Sequence, residues 1–450
     1  MSKDIKIKKG LSIRLKGEAS KSLSNAPRSR TFVIRPSDFH LIIPKMEVKE
    51  GAKLQAGDVI FHSKSNEELK FVSPVSGTLT KIERGAKRKI TELVIDADQQ
   101  DSYKDFGTNS LDSMNSDEVK KHLLASGCWP FIKQRPYDVI ANPDVSPKAI
   151  FVSGYTTAPL AANYDFTLTG KEVELQAAVT ALSKLTEGVV HVSVGKNSTS
   201  VFNGLKDITL HKVSGIHPAG NVGTQIGKID PVNKGEVVWT ITPQDLVIIG
   251  ELLLTGKFNA ERVLALAGSS VKSPKYYTTK IGAEVATFVY DSGLNEENSR
   301  VISGNVLTGT KISHKGHLGY YNNTVTVIPE GDDYELFGWL MPVFGKTSIT
   351  RALTFSWMLP NKKFDLDTNT NGEHRAFVVT GNYEEVFPLD IFPMQILKAC
   401  MVGDLDGMEQ LGMYEVAPED FSLTEFVCIS KQPHQKIIRE GLDLMIKEIG

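Results

Sequence analysis

The residues best suited to chemistry lie in a glycine-rich run, Gly215-Ile216-His217-Pro218-Ala219-Gly220-Asn221-Val222-Gly223-Thr224-Gln225-Ile226-Gly227. Glycines at this density let backbone N–H groups approach a phosphate or a carbonyl oxygen, and His217 adds an imidazole. The spacing is not that of a dinucleotide fingerprint or a P-loop, and the run does not open an obvious helix after a strand. A functional loop and a plain multi-turn connection both fit. A second stretch, Ser153-Gly154-Tyr155-Thr156-Thr157-Ala158-Pro159-Leu160, follows an apolar strand-like segment. An open α/β sheet places its ligand crevice at such a point, although this stretch lacks the glycines needed to wrap a pyrophosphate.

Other chemistry is harder to build. His314 and His317 form an HxxH in a glycine-containing loop without a nearby cluster of Cys, Asp or Glu, and read as solvated loop histidines. The three cysteines, Cys128, Cys400 and Cys428, are far apart. They cannot supply a four-thiolate zinc or iron–sulfur site, and read as buried or free thiols of a reducing compartment. No Ser/His/Asp set, HExxH or paired carboxylates stand out. With 51 basic against 53 acidic residues, a net charge of -2 offers no field that would gather nucleic acid or anionic lipid. The basic N-terminus is not followed by the apolar core of a signal peptide. The most apolar stretch, Leu246 to Leu254, is interrupted by Glu251 and falls short of the ~20 residues that span a bilayer. Membrane contact is expected only through partners.

The elements that must position these residues read as an α+β multidomain chain, at 450 residues long enough for several cores. Residues 1–97 read as a small β barrel-sandwich hybrid with strands at Thr31–Ile34, Val59–His62, Thr78–Ile82 and Leu93–Ile95. Two glycine-punctuated half-repeats, Val48 to Ile60 and Ser73 to Gly85, resemble a biotinyl/lipoyl hammerhead. Lys64 falls in its candidate hairpin, but without the sequence context of a modified lysine, so the hammerhead reads as a scaffold. A polar linker, 96–117, leads to a helix near Ser116–Ser126. Residues 115–258 read as an open, Rossmann-like α/β domain with strands Ala149–Ser153, Val189–Val194, Asp207–Lys212 and Val237–Thr240. Its helices are Lys171–Lys184 and Pro243–Thr255, the second with Thr242 as N-cap and Pro243 in its first turn. Residues 259–345 read as a β-grasp, SLBB-like module with strands Arg262–Ala267, Glu284–Phe288 and Val325–Ile328. After the polar loop Asn361–Glu373, residues 374–450 read as helical, with Phe392–Val402 and Lys436–Ile449 amphipathic.

Motifs in consistent order along the chain carry a family resemblance. They include Lys8-Lys9-Gly10-Leu11, Ser73-Pro74-Val75-Ser76-Gly77-Thr78, Arg135-Pro136, His217-Pro218-Ala219-Gly220, Ser303-Gly304-Asn305-Val306-Leu307-Thr308-Gly309, Pro388-Leu389-Asp390-Ile391 and Ala417-Pro418-Glu419-Asp420. With them the sequence resembles the NqrA family, one of the component families of the sodium-translocating NADH:quinone oxidoreductases, and more distantly RnfC and the flavoprotein subunit of complex I. The resemblance implies a peripheral subunit on the cytoplasmic face of the bacterial inner membrane, taking part in reduction of ubiquinone or menaquinone coupled to Na+ export. It implies the partner subunits NqrB to NqrF, which carry FAD, FMN, riboflavin and iron–sulfur centres.

The sequence departs from the distant relatives where cofactors bind. The flavin loop is missing in its expected form, and the cluster motif has shrunk to Cys428 in Ser422-Leu423-Thr424-Glu425-Phe426-Val427-Cys428. The 374–450 domain is thus expected to be a degenerate iron–sulfur type. No flavin, cluster or metal is expected to be held by this chain, with quinone as substrate. The candidate quinone-site residues are His217, Gly220 and Gly223, with a protonated histidine or a backbone N–H stabilising the reduced ring. The aromatic segments Phe337-Gly338-Trp339 and Phe355-Ser356-Trp357 are candidates to line an apolar slot. A purely structural docking subunit, a free-standing flavin or NADH enzyme, and biotin or lipoate carriage on Lys64 are the competing readings.

Overall fold

The computed structural model describes residues 2–108, 110–333, 336–337, 345 and 357–450. The barrel-sandwich expected near the N-terminus is present. One sheet has four strands in the order Thr31–Ile34, Ile90–Ala97, Gly77–Arg84, Lys53–Leu54; a second has Pro44–Met46, Val59–Ser63 and Asn66–Val72. Lys64 is exposed at the hairpin tip between Val59–Ser63 and Asn66–Val72. The residues before Thr31, however, do not pair within this barrel. Asp4–Ile7 runs parallel to Thr209–Gly215 at the edge of the α/β sheet, and Ser20–Asn25 joins the edge of the third sheet beside Lys275–Lys280. Sequence spacing cannot anticipate this, because an edge strand's partner is chosen by which sheet edge lies within reach of the chain.

The α/β sheet has seven strands in the order Asp4–Ile7, Thr209–Gly215, Val189–Gly195, Ala149–Ser153, Val238–Ile241, Lys133–Arg135, Val139–Ile140. The first five are parallel; at the far edge Lys133–Arg135 runs antiparallel to Val238–Ile241, and Val139–Ile140 runs antiparallel to Lys133–Arg135. From Ala149–Ser153 the chain steps outward twice, then returns to pair Val238–Ile241 on the other side of the starting strand. That reversal is the topological switch of an open α/β sheet. Helices Glu172–Ser183 and Pro243–Thr255 pack together, the second capped by Thr242 Oγ1, which accepts from Asp245 N, and ended by Gly256 at φ 68°. Helix Ser116–Ala125 opens with a capping box between Asn115 and Glu118.

The third sheet orders Thr310–Ile312, Ser299–Ser303, Thr324–Pro329, Glu261–Ala267, Lys275–Lys280 and Ser20–Asn25. The strand expected at Glu284–Phe288 is instead a single bridge at Glu284 followed by helix Ala286–Ser292. Ala286, Val289 and Ser292 recur at helical spacing on the buried side, a pattern that so short an apolar run leaves ambiguous in sequence. The C-terminal region is helical, with Asn382–Val386, Pro393–Val402, Leu405–Gln410, Ser422–Phe426 and His434–Ile449. It has its own hydrophobic core, centred on Tyr383, Ile396, Met408, Phe421, Ile438 and Leu442. A larger core runs continuously through the barrel, the α/β sheet and the third module. Among the described residues, no helix is long and apolar enough to cross a membrane.

Candidate functional site

The glycine-rich run does join a strand to a helix, contrary to the sequence expectation. Strand Thr209–Gly215 leads into the loop, and helix Val222–Ile229 follows. Glycine and β-branched residues are poor helix formers, so the local signal is weak. Burial of Ile226 and Ile229 against the sheet overrides it.

His217 is 3% exposed and packs under the N-terminal segment, whose Leu11 N donates to the His217 carbonyl at 2.9 Å. Burial holds its imidazole down to about 4, so it is neutral at physiological pH; the expected protonated histidine gives way to a neutral one. A hydrogen-bond network surrounds it. Gly220 N donates to Thr157 Oγ1 at 2.8 Å. The same Thr157 hydroxyl lies 3.1 Å from His217 Nδ1. Nδ1 is thus partnered by Thr157, while the buried Nε2 has no partner among the described residues. Gly220 is locked into the same network, its carbonyl accepting from Ser153 Oγ at 2.8 Å. Gln225 Nε2 donates to Ser153 Oγ at 2.8 Å, leaving its buried Oε1 without a donor.

Gly223 does something different. A Cβ there would lie 2.4 Å from Asp420 Oδ1 and 2.5 Å from an Arg135 guanidinium nitrogen. Its bare Cα makes room for the ion pair that clamps the α/β domain to the C-terminal helices. Arg135, 2% exposed, donates to Asp420 Oδ2 at 2.6 Å, to Glu419 Oε1 at 2.9 Å and to the Glu415 carbonyl at 3.1 Å. The three candidates are thus close neighbours in the chain with two roles: His217 and Gly220 belong to one buried network, and Gly223 to an inter-domain contact.

A separate crevice of about 300 Å³ opens at the carboxyl ends of strands Ala149–Ser153, Val189–Gly195 and Thr209–Gly215. It is lined by Tyr155, Tyr164, Asp165, Lys196, Asn197 and Ser198 among others, and by none of His217, Gly220 and Gly223. The stretch after Ala149–Ser153 therefore lies at a crevice, where sheet topology puts it. Lys196, Asn197 and Ser198 were not singled out from sequence; a polar turn after a strand carries no signal until the sheet order shows which strand ends adjoin.

The position of the shrunken cysteine motif is filled. Cys428 is fully buried, with the Tyr383 hydroxyl 2.8 Å from its sulfur and Gln432 N donating to that sulfur at 3.5 Å. The Tyr383 ring lies edge-on to His434, and Phe377 packs against both. His434 Nδ1 is bonded to Thr424 Oγ1 at 2.9 Å. Burial raises the Tyr383 phenol and lowers His434 to about 4. Cys400 lies elsewhere, against Met413 and Gly441. A cubane cluster needs four converging thiolates; one thiol in an aromatic nest does not fit it. No group of three or more His, Cys, Asp or Glu able to hold a metal ion occurs among the described residues.

The HxxH histidines are half-buried rather than solvated. His314 Nε2 lies 3.0 Å from the Ser299 carbonyl and His317 Nε2 lies 3.1 Å from Thr31 Oγ1, which ties the third module to the barrel. Of the aromatic segments, Gly338, Trp339, Phe355 and Ser356 lie outside the described residues, while Phe337 and Trp357 are exposed.

Comparison with known proteins agrees with this architecture. Residues 5–98 match the NqrA N-terminal barrel-sandwich hybrid domain, residues 114–258 the NqrA second alpha/beta domain, and residues 263–314 the NQRA C-terminal (SLBB) domain. The chain is 37% identical over 448 residues to NqrA of the Na(+)-translocating NADH-quinone reductase of Neisseria meningitidis serogroup B, covering 99% of this chain and 100% of that protein. It is 36% identical over 447 residues to the protein of the same name from Photorhabdus laumondii, at the same coverage. A crystal structure of an NAD+-reducing [NiFe]-hydrogenase in its H2-reduced state matches at 11% identity and a TM-score of 0.34, over 49% of this chain and 50% of that one. Three domain matches in order and full-length identity to relatives of one name leave one conclusion: the chain belongs to the NqrA family of the Na(+)-translocating NADH-quinone reductases.

Proposed function

We propose that this chain is the peripheral subunit on the quinone side of a sodium-pumping NADH:quinone reductase, held at the cytoplasmic face of the membrane by its partner subunits. Those partners, NqrB to NqrF, carry the FAD, FMN, riboflavin and iron–sulfur centres and the sodium path; this chain takes part in quinone reduction without a flavin or cluster of its own. The observation that carries the reading is the orphaned His217 Nε2, a ring nitrogen of a neutral imidazole buried beside Gly220, which becomes a donor when the imidazole hydrogen sits on it. Such a donor favours a carbonyl oxygen that gains negative charge on reduction, more strongly in a dry site than in water. It has no proton to surrender at physiological pH and would orient the ring rather than supply acid.

A docking role without a quinone site is the second reading. It is favoured by the closure of the site, since His217 is covered by Gly10 and Leu11. Titration of the purified chain with a soluble short-tail quinone, followed by tryptophan fluorescence and repeated with His217→Ala, separates the two. Saturable one-to-one binding weakened by the substitution supports the quinone site. The absence of saturable binding moves the quinone chemistry to a membrane partner and leaves the docking role.

A further inference from the structure

The crevice at the carboxyl ends of the parallel strands is not used by the quinone reading. We infer that it is a binding site for a single mononucleotide, with the base against Tyr155 and the phosphate toward Lys196.

Topology supplies the first part of the case. The crevice lies at the carboxyl ends of three adjacent parallel strands, the side of an open α/β sheet on which ligands bind, and next to the switch point between Ala149–Ser153 and Val238–Ile241 rather than on it. Its volume of about 300 Å³ sits at the lower end of small-molecule pockets, about 300–1,000 Å³, and suits one nucleotide rather than two.

The lining supplies the second part. Asn163, Asp165, Lys196, Asn197, Ser198 and Ser214 make it polar, which suits a sugar and phosphate and does not suit a prenylated quinone. The Tyr155 ring is placed by Gly195, where a Cβ would stand 3.0 Å from it, so the glycine keeps that side clear. Neither the Tyr155 hydroxyl nor the Asn197 side chain has a hydrogen-bond partner among the described residues. Both are polar groups at the crevice wall open to solvent, where a ligand would take the place of water. Asp165, by contrast, is already bonded to the Ser198 hydroxyl, which fixes that side of the wall. Among the described residues the Lys196 ammonium is held by one exposed pair, with Asp4 at 2.9 Å. Such pairs are weak, so the ammonium can turn to a phosphate at little cost.

The lining also says what is excluded. The chain after Ala149–Ser153 has one glycine before Pro159, and its first helix, Tyr164–Thr167, has only four residues. Among the described residues that stretch offers no helix N-terminus with a glycine loop for a pyrophosphate, and the glycine-rich run that leads into Val222–Ile229 does not line the crevice. The ligand class is therefore a nucleoside monophosphate and not a dinucleotide.

The test uses the full-length chain and AMP as probe, by calorimetry and saturation-transfer NMR up to about 10 mM, which reaches weak millimolar affinities. Saturable binding is expected, with adenosine weaker than AMP and NAD+ no tighter than AMP. Tyr155→Ala should weaken AMP about tenfold through lost base stacking. Lys196→Ala should erase most of the preference for AMP over adenosine. Asn197→Ala, at the crevice wall and outside any core, gives a second variant should Tyr155→Ala fold poorly, and should weaken AMP severalfold. No saturable binding overturns the inference. So does AMP binding that ignores all three substitutions, or displacement of AMP by stoichiometric short-tail quinone. Failure on AMP alone leaves the His217 quinone titration untouched, so the two readings fail separately.

Discussion

The Cys428 nest and the carboxyl-end crevice are the two places in this fold where a redox cofactor would be sought, and they have been treated in opposite ways. Around Cys428 the space is filled by Tyr383, Phe377 and His434, and the sulfur is fully buried. At the crevice a space of about 300 Å³ stays open above the strand ends, and its walls are polar. A filled site adds to stability through packing and cannot exchange a ligand. An open one gives up that packing and keeps the capacity to bind. The difference sets C-terminal helices whose candidate cofactor position is packed shut against an α/β sheet that keeps an open crevice.

Breaking the clamp between the two regions should have the largest effect. Asp420→Ala leaves Arg135 buried with its main partner gone, and should cost about 3–5 kcal/mol in denaturant unfolding, with early proteolysis between the α/β domain and the C-terminal helices. The double variant Arg135→Met with Asp420→Leu should recover most of that loss, because it removes both charges. A single variant within 1 kcal/mol of the parent, about the worth of an exposed pair, would show that the clamp does not hold the domains.

Reopening the filled site comes next. Tyr383→Ala should destabilise by roughly 3 kcal/mol through cavity formation, and should make Cys428 reactive to a thiol reagent in the folded protein. Tyr383→Phe keeps the ring and loses only the hydroxyl contact to the sulfur, so about 1 kcal/mol is expected. If the thiol reacts equally fast in both variants and in the parent, the site is not sealed.

Acid should weaken both regions at once. His434 in the nest and His217 in the loop are each held near 4 when folded, against about 6.5 unfolded. Between those values the unfolded chain binds more protons, so stability is complete above about pH 6.5 and is lost as pH falls toward 4. A loss on the order of 1–3 kcal/mol per group is expected over that window. Measuring Tm from pH 7.5 to 5, His434→Gln should flatten the slope. An unchanged slope would place the titrating groups elsewhere. At the crevice, by contrast, Lys196→Ala should change stability by less than about 0.5 kcal/mol, since its partner Asp4 and the lysine itself are both more than half exposed. A large loss there would mean that the pair anchors the N-terminal edge strand.

Much of the α/β framework was legible in sequence. Ala149–Ser153, Val189–Gly195, helix Glu172–Ser183 and helix Pro243–Thr255 fall within a residue or two of their expected limits, because apolar periodicity and the Thr242-Pro243 start signal are local. Where the information was not local, it could not be read. Helix Val222–Ile229 is hidden by its glycines and exists through burial against the sheet. The segment Glu284–Phe288 is too short for its period to be decided.

The candidate site divides along the same line. Sequence supplied the resemblance, the loss of cluster thiols and the residues His217, Gly220 and Gly223, because identity, composition and glycine spacing are properties of the chain itself. Only the tertiary structure decided what those residues do. The neutral state of His217 depends on burial, and the partner of its Nδ1 is Thr157, 60 residues away in the chain. The role of Gly223 depends on Arg135 and Asp420, which come from different domains. Hydrogen bonds and desolvation act over a few ångströms of space, and the order of residues along the chain does not say which of them will be that close.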